Sequence, residues 1–243
     1  MIEFGKSMAS QQTQLPTHWK QNSKKYRVSA VNRRHATPVR RLVKRLLGTE
    51  VGQNGSFEPA TAEFHHERHH HVYGAPWCIG RDQFDYLKSR GISSTHNVLD
   101  FGCGSLRLGV WMIPYLNSGC YFGIDSHYPS LKLGVEYEIP LHALESQNSR
   151  LLLSDEFEID HFGVKFDRVV AMSVLHHLTD EQQRMAIEKI IACSTDDLVL
   201  HAVGFNMTDS ALSKYGLRRS YQETCKCKMA GVHLDWQEIK KSG

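Results

Sequence analysis

The chain has 243 residues, of which 41% are hydrophobic and 23% charged, a composition typical of a soluble globular protein with one full domain and an appendage. No apolar run approaches the roughly eighteen residues that a membrane-spanning helix needs, which argues against an integral membrane protein. The six cysteines form no C-x-x-C pair and no secretory leader is recognisable, so we expect a cytoplasmic protein with reduced thiols.

The N-terminal part of the chain is strongly basic. Residues 1–48 contain eleven Lys or Arg and one acid, a balance of +10 that leaves −7 for the rest of the chain. Residues 1–32 are polar and predicted to be disordered, whereas leucines and valines repeat at helical spacing in 38–47, opposite a basic face. Such a helix could contact an anionic membrane or nucleic acid through residues 20–45, take part in organelle targeting, or pack its leucines on the domain. Residues 49–63 are predicted to be a linker.

A histidine-rich segment follows the linker. His66, Glu67 and His70 match H-E-x-x-H, in which two histidines on one helix face bind zinc and the glutamate acts as general base. The spacer positions are polar where a buried zinc helix needs apolar residues, and the segment offers no third ligand. We therefore predict no metal centre and leave open only adventitious metal binding by these histidines. Residues 64–91 are predicted to form a helical lid.

The most informative stretch is "NVLDFGCGSLRLGVWMIPYL", residues 97–116. A short apolar strand ends in Gly102-Cys103-Gly104, and a helix is predicted to begin with Ser105 as its N-cap. Its inner face is expected to carry Leu106, Val110, Ile113 and Leu116. A strand, a glycine turn and a helix N-terminus together form a nucleotide-type site, because glycines let a ligand approach the backbone. Asp125 ends the next strand, where an acid can accept hydrogen bonds from ribose hydroxyls.

Two residues favour one ligand class over another. A dinucleotide motif, G-x-G-x-x-G, needs glycine where this chain has Arg107. Asp100, just before the glycine turn, would repel a pyrophosphate. The same carboxylate would attract S-adenosylmethionine, which has no phosphate and carries a sulfonium and an ammonium. The turn is therefore predicted to bind S-adenosylmethionine.

Residues 97–203 resemble a class I S-adenosylmethionine-dependent methyltransferase. The resemblance rests on four motifs in order, which are "VLDFGCG", "YFGID", "LLLSDEFEI" and "FDRVVAMSVLHHLTDEQ". The segment "GVHLDWQEIKK", residues 231–241, is similar to the last antiparallel strand of these proteins. The resemblance implies a Rossmann-like α/β fold: a mostly parallel seven-stranded sheet with an antiparallel last strand and helices on both faces. The domain is expected to span 64–243, with its core at 92–243 and a basic, partly disordered N-terminal extension.

The resemblance also implies roles for individual residues. Gly102 and Gly104 are expected to line the methionine part of the ligand, with Asp100 near its ammonium, and Asp125 is expected to hold the ribose. Either His176 or His177 is expected to face the acceptor as a general base, a choice that the sequence leaves open. The remaining expected contacts with the cofactor come from Tyr73, Cys103, Ser126, Asp155, Glu156, Phe157, Ser173 and Val174.

Three functions remain in competition at the level of the sequence. The leading hypothesis is a methyltransferase that acts on a small-molecule or glycan-like acceptor. The alternative is a non-catalytic protein of the same fold that uses its basic tail to hold nucleic acid or a partner. A nicotinamide-dependent oxidoreductase is disfavoured by Arg107.

Overall fold

The computed structural model describes residues 78–226 and 233–242. The predictions for the basic tail, its amphipathic helix, the linker, the H-E-x-x-H segment and Tyr73 lie outside these residues. Within the described part of the chain, no helix has both the length and the apolar character needed to cross a membrane.

A seven-stranded sheet forms the centre of the domain. Its strands are β1 (Val98–Phe101), β2 (Tyr121–Asp125), β3 (Arg150–Leu153), β4 (Phe166–Met172), β5 (Ser194–Val203), β6 (Leu217–Lys226) and β7 (His233–Lys241). They lie in the order β3-β2-β1-β4-β5-β7-β6. The first five strands are parallel, and β7 runs antiparallel to both of its neighbours. The predicted sheet with one antiparallel strand at the end of the sequence is confirmed.

Helices cover both faces of this sheet. They are α1 (Cys78–Ser89), α2 (Gly109–Met112), α3 (Tyr128–Leu133), α4 (Ile139–Leu141), α5 (Asp180–Ala192) and α6 (Asp209–Ser213), with a π-helical turn at Gly134–Glu138 between α3 and α4. One apolar cluster joins α5 and α6 to one face of the sheet. A second apolar cluster joins the helices α1, α2, α3 and α4 to the opposite face of the sheet. The sheet is thus buried on both sides, as parallel sheets require.

Helix α2 begins later than the sequence predicts. Ser105 was expected to be its N-cap, but the helix spans only Gly109–Met112 and Leu108 takes the cap position. The reason is Leu106, whose φ of 63° places it in the left-handed region and prevents a right-handed helix from starting before it. The expected inner face is nevertheless buried, since Leu106, Val110, Ile113 and Leu116 are all at most 5% exposed.

Helix α1, the described part of the expected lid, packs firmly on the domain. Leu87 is fully buried, and the ring of Tyr86 stacks on Trp236 of β7 with 3.8 Å between centroids. Just beyond the helix, Arg90 Nε lies 2.5 Å from Glu238 Oε1. At its other end, a Cβ added to Gly80 would lie 1.9 Å from the carbonyl oxygen of Arg107. Only glycine allows this approach, which brings α1 against the loop after β1.

Candidate functional site

The carboxyl ends of four of the five neighbouring parallel strands carry an unusual number of left-handed residues. Positive φ angles occur in the loops after β1, β3, β4 and β5, at Gly102, Gly104, Leu106, Phe157, Ser173 and Gly204. Leu, Phe and Ser pay a conformational cost there, and such strain persists in proteins mostly at functional sites. The carboxyl edge of a parallel sheet is also where ligands bind in open α/β folds. The backbone therefore identifies this edge as the candidate site.

The glycine loop after β1 is fixed by its neighbours on both sides. The Gly102 N–H donates to the Ile124 carbonyl at 2.8 Å, and the Gly104 N–H donates to Asp125 Oδ2 at 2.7 Å. A Cβ on Gly102 would lie 2.4 Å from Cγ2 of Val174, so no other residue fits beside the loop after β4. The structure thus brings Gly102 and Val174 together, whereas their roles in ligand binding stay predictions.

Asp125 fixes the neighbouring backbone and is also a candidate cofactor-binding residue. Its Oδ2 accepts from Gly104 and its Oδ1 accepts from the His127 N–H at 2.7 Å. Burial raises the pKa of the Asp125 carboxyl above its ordinary value, although these two backbone donors favour the ionised form. Each carboxylate oxygen has a second lone pair, and the side chain is partly exposed, so hydroxyl groups of a ligand can still bind. The adjacent Ser126 is exposed.

Asp100 is a buried carboxyl behind the glycine loop. It is 2% exposed and accepts a hydrogen bond of 2.7 Å from the hydroxyl of Tyr121, a residue that sequence reasoning missed. Desolvation raises the pKa of Asp100 to about 7, although the Tyr121 hydroxyl and the charge of Arg107 both favour ionisation. Nothing in the sequence marked Tyr121 because it fits an apolar strand pattern and meets Asp100 only through the pairing of β1 with β2.

Cys103, the residue between the two glycines, turns its side chain into the core. It is 5% exposed, and its Sγ would lie 3.0 Å from a Cβ on Gly123 of β2. Burial raises the pKa of the thiol well above its ordinary value, so it stays uncharged. The expected contact between Cys103 and the ligand therefore stays a prediction, and it concerns the backbone of this residue rather than its thiol.

The loop after β3 is organised by Ser154, another residue that the sequence did not single out. Its Oγ accepts from the N–H groups of Glu156 at 3.3 Å and Glu158 at 3.2 Å. This arrangement leaves Glu156 exposed and Asp155 partly exposed at the edge. Phe157, in contrast, is 7% exposed and packs on Phe101 with 5.4 Å between ring centroids. A side chain this buried has little free surface for a ligand.

The two histidines of the loop after β4 occupy different positions. His176 lies against the loop after β5, where a Cβ on Gly204 would be 2.8 Å from its Nδ1. The ring of His177 lies 3.9 Å from that of His176. Burial and the neighbouring His177 lower the pKa of His176, and a hydrogen bond with the Gly204 backbone only partly opposes this. His176 is consequently neutral near pH 7, which is the form that can accept a proton.

The site has no metal-binding character in the part of the chain that the structure describes. Within residues 78–226 and 233–242, no three His, Cys, Asp or Glu side chains lie close enough together to hold a metal ion. The described residues at this edge supply buried and exposed carboxylates, backbone N–H groups and a neutral imidazole.

Comparisons with known proteins agree with this fold. Residues 99–197 match the family model described as a methyltransferase domain. The crystal structure of magnesium protoporphyrin IX methyltransferase from Synechocystis PCC 6803 with bound SAM is 16% identical, with a TM-score of 0.54, over 73% of this chain and 91% of that one. A Burkholderia thailandensis 1,6-didemethyltoxoflavin-N1-methyltransferase with bound S-adenosylhomocysteine is 15% identical, with a TM-score of 0.56, over 75% and 85%. The N-methyltransferase NodS from Bradyrhizobium japonicum WM9 is 15% identical, with a TM-score of 0.51, over 75% and 98%. No curated protein matches the chain in sequence.

Proposed function

The described part of the chain has the fold of the class I S-adenosylmethionine-dependent methyltransferases, and from this premise we propose that the protein transfers a methyl group from S-adenosylmethionine to a small-molecule acceptor. The observation that carries the proposal is the pair of carboxyl groups around the glycine loop. Asp100 is buried behind the loop, and Asp125 accepts a hydrogen bond from the Gly104 N–H of the loop itself. A cationic ligand without phosphates suits this arrangement, whereas a dinucleotide does not.

The raised pKa of Asp100 supports a cationic ligand in particular. Desolvation makes its ionised form unfavourable in the isolated protein, and a nearby positive charge would reverse that effect. In the proposed complex, Asp100 interacts with the ammonium of the methionine part, directly or through water. The backbone of Gly102 and Gly104 lies against the same part of the ligand. Asp125 holds the ribose hydroxyls, with Ser126 beside it.

The adenine part is proposed to lie over the loop after β3. The carboxylate of Asp155 accepts from the exocyclic amine, and Glu156 borders the same space from solvent. Phe157 contributes little of its ring to this space, since the side chain is buried and packs on Phe101. Tyr73 is proposed to cover the cofactor from a segment outside the described residues.

The protein itself contributes little covalent chemistry to methyl transfer. The cofactor supplies an activated methyl group, so the task of the chain is to align the acceptor and exclude water. Ser173 and Val174 form the floor of the proposed reaction space, and Val174 is held there by its contact with Gly102. His176 takes the proton when the acceptor is a hydroxyl or another group that keeps one.

Calorimetric titration tests the proposal directly. We expect S-adenosylmethionine and S-adenosylhomocysteine to bind with one site per chain, and NADH to show no binding. A screen of small-molecule acceptors with S-adenosylmethionine, followed by formation of S-adenosylhomocysteine, then tests the transfer itself. Binding of NADH without binding of either methionine derivative would overturn the proposal.

A further inference from the structure

Asp235 lies beside the proposed reaction space, on a strand that the site has not yet used. The last residue pair between β5 and β7 joins Val203 to Trp236, so Asp235 lies next to Gly204 where β5 ends. Gly204 in turn packs against His176. Asp235 therefore borders the site from the side of β7, with Gly204 between it and the histidine.

The donors that the described residues supply to the Asp235 carboxylate are all neutral. Gln222 Nε2 lies 3.2 Å from Oδ1 and 3.3 Å from Oδ2, and the Thr224 hydroxyl lies 3.4 Å from Oδ1. Gln237 Nε2 donates to Oδ2 at 2.9 Å. No described residue forms an ion pair with Asp235, and the side chain is partly exposed. The carboxylate is thus fixed in position while its charge stays uncompensated among the described residues.

Gln237 shows that this position is maintained at an energetic cost. Its side chain is 3% exposed, and Nε2 donates both to Asp235 and to the Phe205 carbonyl at 2.9 Å. Its Oε1 is buried without a hydrogen-bond partner. A buried orphan acceptor is unfavourable, and one that persists calls for a reason. Here the reason is that a single amide fixes Asp235 and the loop carrying Gly204 relative to each other.

We propose that Asp235, positioned by Gln237, binds a protonated amine on the methyl acceptor and so sets the substrate class of the enzyme proposed above. The inference rests on that proposed function. An ammonium group has three donors and no acceptor, and it would supply the positive charge that the described neighbours of Asp235 lack. The amine is a recognition group, and the atom that receives the methyl lies on the other side of Gly204, facing His176. Charge-assisted hydrogen bonds of this kind are stronger than neutral ones, which favours amines over alcohols of the same shape.

A matched pair of probes tests this inference without knowledge of the natural acceptor. The protein is first loaded with S-adenosylhomocysteine, whose binding is checked by calorimetry, and is then titrated with 2-phenylethylamine or 2-phenylethanol. Binding is followed by the NMR shifts of the Gly204 amide and the Gln237 side-chain amide. We expect the amine to bind about tenfold or more tightly than the alcohol in the wild-type protein, and Asp235→Asn to remove that preference.

Two variants separate recognition from folding. Asp196→Asn is the matched control, because Asp196 is the same residue type near the opposite end of β5, fully exposed and 3.4 Å from Lys241 Nζ; its amine preference should equal that of the wild type. Gln237→Leu removes the amide that positions Asp235 and should reduce the preference for the amine, by weakening amine binding more than alcohol binding. Equal binding of the two probes to the wild type, or an unchanged preference in Asp235→Asn, would overturn the inference alone. Failure of S-adenosylhomocysteine to bind would overturn the proposed function as well.

Discussion

Replacing Asp100 by Asn should make the protein more stable at high pH and weaken its cofactor site. The pKa of Asp100 is raised from 3.8 to about 7, which means that the folded state resists losing this proton. A raised carboxyl pKa leaves stability unaffected at low pH, and the cost grows as pH rises from about 4 to about 7. At roughly 1.36 kcal/mol per pKa unit, the full cost above pH 7 is about 4 kcal/mol. Asparagine has the same shape, accepts from Tyr121 and carries no charge, so this cost disappears.

Urea unfolding monitored by tryptophan fluorescence, from pH 4 to pH 8.5, measures the effect. The stability of Asp100→Asn relative to wild type should increase by about 1.4 kcal/mol per pH unit and then level off above pH 7. Other buried groups cancel in the difference, because both proteins contain them. Glu188→Gln, a change of an exposed carboxylate on α5, should give a difference that does not vary in this way. Parallel curves for Asp100→Asn and wild type would refute the reasoning. The same variant should bind S-adenosylmethionine about tenfold or more weakly, since it loses a buried counter-charge.

Three further substitutions probe the rest of the site. Asp125→Ala should abolish or severely weaken cofactor binding measured by calorimetry, because the ribose loses a charge-assisted partner and the Gly104 N–H loses its acceptor. Each of these hydrogen bonds contributes about 1.5–3 kcal/mol. An unchanged affinity would remove Asp125 from the site. Gly102→Ala should lower the free energy of unfolding, measured in urea, by about 1–3 kcal/mol, because it combines a φ of 77° with a clash against Val174. The double variant that also carries Val174→Ala should recover part of this loss. His176→Gln should lower kcat by about 10²-fold or more for a hydroxyl acceptor. In the wild type, kcat should fall as pH drops through a pKa below the ordinary histidine value of 6.5, and a rate independent of pH there would exclude His176 as the base.

The sequence predicts this fold well where the signal is local. The apolar run before Gly102 and the acid at Asp125 mark a strand, a turn and a second strand, because residue type and spacing alone determine that pattern. The start of α2 was missed because the left-handed backbone of Leu106 is imposed by surrounding contacts, among them the close approach of its side chain to Gly109 and Gly134. Nothing in the local sequence distinguishes such a leucine from an ordinary helical one.

The functional site shows the same division between local and distant causes. Asp100 and Asp125 were identified from their positions at strand ends, yet the partners that tune them come from other segments. Tyr121 reaches Asp100 across two paired strands, and Gly104 reaches Asp125 from twenty-one residues away. The direction of a side chain could not be predicted from the sequence either, since the motif that contains Cys103 does not reveal that its thiol points into the core.

The packing of α1 on β7 has a consequence for the order in which the molecule assembles. Arg90 and Glu238 are separated by 148 positions in the sequence, so their contact closes one of the longest loops in the described chain. Contacts of such separation form late, because the entropy of closing the loop must be offset by structure that already exists. We therefore expect α1 to dock after the sheet has formed. Since Gly80 of α1 rests on the Arg107 carbonyl, the loop after β1 gains this contact only at that late step, after the strands have paired.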